Sequence, residues 1–203
     1  MKELLLIPLI LLMPNLGNLD SEMAFRTRDF QPRRTKDILV LSVAGNKDSA
    51  AALNMEKKLA NRLKSYNYFA QSAIEYFGQN AFAKVREEET IKQLYPYDAV
   101  IIIALINENQ KTGLASECND FFWEYYDGVY SATHDPVVKK AGKDYWEISF
   151  FGISNWKLEY RMKTLAFPNS QTKALVASLG KSIIGDMIKK QVIHPLPTNL
   201  KPF

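Results

Sequence analysis

A chain of 203 residues, 47% apolar and 24% charged, is long enough to bury one sizeable core and has an ordinary globular composition. Its net charge of +4 is spread along the chain, and no basic, aromatic-interleaved module points to nucleic acid. A single cysteine, Cys118, excludes an internal disulfide and leaves a buried thiol or one exposed for intermolecular pairing.

Residues 1–17 stand apart. Lys2 precedes the apolar run Leu4–Met13, which Pro14 and Gly17 break. The run has the length of a signal-peptide core and falls short of the roughly 20 residues that a membrane span needs. It predicts a signal peptide or amino-terminal anchor, and hence an exported protein, periplasmic or otherwise attached to a bacterial cell envelope. A buried amino-terminal helix is the alternative. Residues 18–36 read as a basic linker, with Arg26, Arg28, Arg33, Arg34 and Lys36 crowded around Pro32. Either the linker is merely solvated, or its basic side chains are drawn to anionic lipid, so that residues 1–36 offer a route to membrane association.

The domain proper spans 37–193. Ile38–Val43 is a buried-type strand. Gly45-Asn46-Lys47-Asp48-Ser49 ends it and supplies an N-cap for a helix over about 50–65. In that helix Ala52, Met55, Leu59 and Leu63 form the apolar stripe, and Glu56, Lys57, Asn61 and Lys64 are assigned to water. Tyr66-Asn67 turns the chain into a weaker strand over 68–74. A loop at Gly78 and Asn80 and a helix over 85–94 follow. Asp98–Ile106 is an unbroken apolar run rich in β-branched residues, the pattern of a strand covered on both faces. From 107 to about 143 regularity lapses, a long connection for a compact domain. Inside it, Phe121–Tyr130 packs six aromatics into ten residues. Two alternating strands, 144–151 and 156–163, then read as a hairpin with one packed and one wet face. A helix over 171–191 carries the stripe Val176, Leu179, Ile183 and Met187, and residues 194–203 form a Pro-rich tail. The order strand–helix–strand–helix–strand, an aromatic connection, two strands and a helix predicts one α/β (α+β) domain. Its mixed sheet has about five strands in a two- or three-layer arrangement, with 98–106 at the centre.

Catalytic signatures are missing. Gly45–Ser49 occupies the strand-to-helix position where phosphates bind, but it lacks the Gly-x-x-x-x-Gly-Lys-Ser/Thr pattern and has one glycine. A capped turn is the plain reading, and an enzyme or nucleotide- or phosphate-binding protein built on residues 45–49 is the alternative. Gly180-Lys181-Ser182 matches only the end of that pattern and lies inside a helix, where Gly180 reads as a close-packing position. His134 and His194 have no partner at ligand spacing, and His134-Asp135 reads as a surface pair rather than an acid–base pair. Glu87-Glu88-Glu89 reads as a solvated helix face. No catalytic residue, metal or cofactor is therefore expected. The aromatic stretch has two readings. Its rings cover a face of the sheet, or Phe121, Phe122, Trp123, Tyr125, Tyr126 and Tyr130 form a partner-binding patch.

The residues that carry a family likeness are strand 38–43, the helix with Glu56 and Leu59, Ala73–Phe77, strand 98–105, the aromatic stretch 121–130, the pair 145–154 and 156–164, and the closing helix 170–193. In this pattern the chain resembles bacterial envelope proteins, often lipoproteins, that share a fold with the TolB amino-terminal domain and the curli-secretion lipoprotein. The resemblance implies a non-enzymatic protein that binds an envelope partner or self-associates. The chain departs from the family in lacking a lipobox cysteine, and it lacks the long alternating hairpins of the pore-forming branch.

Overall fold

The computed structural model describes residues 23–26, 35–43, 49–78, 81–85, 87, 94–107, 121–134, 144–165 and 172–195. The signal-like stretch, Gly45–Asp48, Glu88 and Glu89, Cys118, Asp135 and the tail beyond 195 lie outside them, as does nearly all of the helix expected over 85–94.

In chain order the elements are β1 (Met23–Arg26), β2 (Asp37–Val43), α1 (Ser49–Lys64), β3 (Phe69–Ser72), α2 (Ala73–Phe77), α3 (Ala81–Lys84) and β4 (Ala99–Asn107). Then come α4 (Phe122–His134), β5 (Asp144–Gly152), β6 (Lys157–Leu165) and α5 (Thr172–Lys189). The described strands form one sheet in the order β1-β6-β5-β4-β2-β3. β2 runs parallel to β3 and β4, while β4–β5, β5–β6 and β6–β1 are antiparallel. The run predicted to be central is flanked on both sides, and its residues Ala99–Ala104 are buried. β1 was not anticipated: four residues of the stretch read as linker pair with β6, from Met23↔Lys163 to Arg26↔Tyr160.

Alternating residues of the sheet feed two cores, which makes the domain three-layered. On one face Ile38, Val40, Ile101, Ile103, Trp146, Ile148, Phe150, Tyr160 and Met162 pack under α1 and α5. The stripe predicted for α1 is buried throughout, as are Leu179, Ile183 and Met187 of α5. Both helices stop in the same way. Asn67 (φ 68°), three residues beyond α1, and Gln191 (φ 58°), two residues beyond α5, adopt left-handed backbone. The following N–H groups of Tyr68 and Val192 close back on the Leu63 and Met187 carbonyls, a Schellman stop sealed by buried apolar pairs. On the other face Leu39, Leu41, Val100, Ile102, Phe151 and Leu158 pack under α2, α3 and α4.

Four expectations are corrected. The weak strand is only 69–72, and the chain turns helical at Ala73. The hairpin has no wet face at Glu147 and Ser149, because the aromatic helix α4 covers both and leaves them fully buried. Strict alternation along the second hairpin strand also fails: Phe151 pairs with Leu158 and Phe150 with Tyr160, so Glu159 is an extra bulged residue. The bulge puts Leu158 under α4 while Tyr160 faces α1 and α5. Finally, a Cβ on Gly180 would meet nothing within 4 Å, so close packing does not account for that glycine.

Candidate functional site

Three clusters of buried or part-buried polar groups among the described residues each serve a different junction. Glu56, assigned to water on the helical wheel, is buried. Its Oε2 accepts from the Ser42 N–H (2.8 Å) and Ser42 Oγ (2.6 Å). Its Oε1 accepts from Ser72 Oγ (2.5 Å) and the Ile74 N–H (2.8 Å). The carboxylate thus ties α1 to the ends of two parallel strands and satisfies an open donor in the first turn of α2. A charge buried with four donors is structurally committed. The signal in the sequence was Ser42, a polar residue inside an apolar strand that needed a partner.

Under α4, Glu147 is fully buried, with Lys163 Nζ 3.2 Å from Oε2 and Arg161 Nε 3.6 Å from Oε1. The Arg161 guanidinium lies over the Tyr125 ring at 5.2 Å. Burial first, and the charge of Glu147 second, push the Tyr125 hydroxyl well above the ordinary tyrosine range. Beneath α5, the Tyr160 hydroxyl donates to Asp186 Oδ2 (2.8 Å), and Lys190 Nζ binds both Asp186 oxygens (2.7 and 2.6 Å). Burial and the bond to Asp186 push the Tyr160 hydroxyl up as well.

A cleft of about 610 Å³ opens where β2 and β4 begin and β5 ends. Thr35, Tyr95, Tyr97, Asp98, Trp156 and Glu159 are among its lining residues. Asp98 organises this edge. Its Oδ2 accepts from the Lys36 N–H (2.6 Å) and the Asp37 N–H (3.0 Å). Its own N–H donates to the Asp37 carbonyl (2.8 Å), and its carbonyl accepts from the Ile153 N–H (2.9 Å). Burial, and then the charge of Asp98, raise the Asp37 carboxyl above its ordinary value, with Lys36 opposing. The Tyr97 hydroxyl donates to Gln71 and is pushed up to about 12, mainly by burial.

Trp156 forms the aromatic wall. It closes the β5–β6 turn at φ 55°, a left-handed backbone that is unusual for a bulky residue and costs roughly 1–2 kcal/mol. Packing explains why tryptophan is tolerated there. The Trp156 carbonyl accepts the Phe122 N–H (2.8 Å), fixing the start of α4. Its indole lies 5.0 Å from Phe122, 5.4 Å from Trp123 and 6.4 Å from Tyr95. Tyr95 is 64% exposed.

The aromatic stretch therefore divides. Phe122, Tyr125 and Tyr126 are fully buried core residues, with no surface to give a partner. Trp123 and Tyr130 are half-buried. Phe121 is 45% exposed, bridged to Lys157 and capped by its ammonium 5.7 Å from the ring. The patch proposed from sequence retains Phe121 and Trp123 as surface groups at its head and gains Tyr95 and Trp156 from elsewhere in the chain. Tyr95 and Trp156 were missed because each stands alone in sequence, and only the sheet brings them together. Among the described residues no group of three or more His, Cys, Asp or Glu side chains is arranged to hold a metal ion. No described helix is long and apolar enough to cross a membrane.

No protein-family profile matches the chain, and no curated protein matches it. Solved structures give low-scoring alignments. A variant of the PelC dodecamer from Paraburkholderia phytofirmans aligns with a TM-score of 0.43 and 15% identity, over 80% of this chain and 94% of that one. The PelC dodecamer in another crystal form gives 0.41 and 12%, over 85% and 99%. Lipoprotein GNA1162 from Neisseria meningitidis gives 0.40 and 15%, over 81% and 99%.

Proposed function

We propose that this chain is an exported, non-catalytic cell-envelope protein that acts by binding or assembling with other envelope components. The observation that carries the reading is the aromatic rim at one end of the sheet. Tyr95 and Trp156 line an open cleft there, Trp123 packs on Trp156 and Phe121 bridges to Lys157 beside it, although they come from three separate segments. Exposed aromatics beside a concavity are the usual anchors of protein–protein recognition. The polar clusters support the same reading, since Glu56 and Glu147 are committed to hydrogen bonds or ion pairs that hold the fold. Export rests on the signal-like residues 1–17, and these together with the basic stretch 18–36 offer membrane association.

A photo-crosslinking residue placed at Phe121 or Tyr95 in the native host tests the reading. A discrete adduct with an envelope component, or with a second copy, is the expected result. A folded protein that fractionates with the cytosol, keeps residues 1–17 and yields no adduct from either position overturns it.

A further inference from the structure

We infer that the outer face of the α1–α5 layer rests on an anionic lipid surface. The two helices lie side by side on one face of the sheet, so the sides they turn away from it form one surface. α1 exposes Asn54, Lys58, Asn61 and Lys64 there, and α5 exposes Lys181, Gly185 and Lys189. The acids of this layer are withdrawn from that surface. Glu56 is buried among its four donors, and Asp186 is held by Lys190 and the Tyr160 hydroxyl. Lys57 pairs with Glu75 at 3.4 Å, but Lys58, Lys64, Lys181 and Lys189 have no acid partner among the described residues. The opposite layer is the reverse: α4 exposes Glu124 and Asp127 and contains neither lysine nor arginine. Charge that looks scattered along the sequence is thus sorted across the sheet.

The chemistry of this face selects its partner. Lysines are hydrated point charges on flexible stems, suited to a diffuse layer of headgroups rather than to one fixed ligand. They stand on helix crests, and the described cleft opens elsewhere, at the strand ends. The exposed large apolar side chains among the described residues are Phe69, Tyr76, Tyr95 and Phe121, none of them on α1 or α5. The face therefore offers nothing to insert among acyl chains, and no exposed ring on which a nucleic-acid base could stack. Contact with lipid is electrostatic and stops at the headgroups, each lysine near the surface strengthening it about fivefold. Such a contact complements the apolar run Leu4–Met13, because a hydrophobic segment and a basic patch together hold a protein at a membrane where either alone is marginal. It also sets an orientation, with α1 and α5 toward lipid and Glu124 and Asp127 of α4 away from it. The aromatic rim plays no part in it, so this inference shares with the proposed function only the envelope location.

The test mixes the full chain with vesicles of phosphatidylcholine, alone or with phosphatidylglycerol added, and measures co-sedimentation at low and high salt. Attachment through residues 1–17 is common to both vesicles, so the ratio of the two affinities isolates the electrostatic part. Phosphatidylglycerol is expected to tighten binding, and salt to remove the gain. Lys181→Gln with Lys189→Gln should reduce the gain about tenfold, and adding Lys58→Gln and Lys64→Gln should reduce it about a hundredfold. All four side chains are exposed, so these variants should melt with the parent. Amine acetylation read by mass spectrometry supplies the orientation. Anionic vesicles should protect the same four lysines and leave exposed Lys157, beside Phe121 at the head of α4, reactive. Unchanged binding in the four-lysine variant overturns the inference, as does a loss produced instead by Arg28→Gln, Arg33→Gln and Arg34→Gln together. A single-stranded oligonucleotide that binds the same lysines more tightly and strips the protein from vesicles assigns the face to nucleic acid and also overturns it. Adducts from Tyr95 or Phe121 without any preference for phosphatidylglycerol would leave the broader reading standing and remove this one alone.

Discussion

Glu56 occupies a position that any helical wheel assigns to solvent, and it is among the most committed polar side chains described. Its two oxygens serve two strand ends and the first turn of a third element. Glu56→Ala strands two backbone donors and two hydroxyls in a dry site, so a loss on the order of 3 kcal/mol is expected in urea unfolding. Ser42→Ala, which removes one bond but leaves the carboxylate three donors, should cost about 1 kcal/mol. Tyr68 and Tyr97 set an alkaline limit. Burial raises both hydroxyls to about 12. A folded-state value above the unfolded one means that the unfolded chain loses its proton first. Stability is therefore full below about pH 10 and falls as pH rises through 10 to about 12. Denaturant midpoints measured across that window should decline less steeply in Tyr68→Phe and Tyr97→Phe than in the parent.

Individual elements were readable from sequence wherever one periodicity ruled. The α1 stripe, Leu179, Ile183 and Met187 of α5, and the apolar β4 run are buried where pattern placed them, since a single periodicity governs each helix and β4 is covered on both faces. The hairpin was harder. Tyr145–Ser149 alternates as though one face met water, but α4 arrives from an irregular stretch and converts that face into core. Nothing local announces a helix over 122–134, because its five aromatics carry no helical bias of their own. The bulge at Glu159 is equally silent in sequence, since an extra residue leaves composition unchanged while switching every side chain beyond it. In α5, Gly180 and Gly185 sit at helical positions where an added Cβ meets nothing within 4 Å. Gly180→Ala and Gly185→Ala should each stabilise the protein by about 0.5–1 kcal/mol, seen as a raised melting temperature.

At the scale of the molecule, β4 joins two kinds of sheet. It is parallel to β2 on one side and antiparallel to β5 on the other, and its side chains enter both cores. Ile102→Asp places a charge between β2, β5 and the aromatic helix, and should abolish the cooperative unfolding transition. A cooperative, native-like melt in that variant would refute the central placement. Ile103→Ala, opposite in facing, should cost roughly 2–5 kcal/mol. The architecture was legible because each layer has its own apolar signature. The aromatic cleft was not, because Tyr95, Trp156 and Glu159 acquire their relation only when the sheet closes.

Gly152 and Glu159 bear on how such a chain can diverge. A methyl group at 152 would run into the Glu159 carboxylate at 2.4 Å, whereas the Asn155 side chain stands at an ordinary 3.4 Å. The two positions are therefore not independent under selection. A lineage that enlarges residue 152 must shorten residue 159 or drive its acid toward the opening of the cleft. In an alignment of descendants, small residues at 152 should travel with glutamate at 159, and bulkier ones with its loss. That covariation would mark which branches keep a negatively charged cleft and which have given it up.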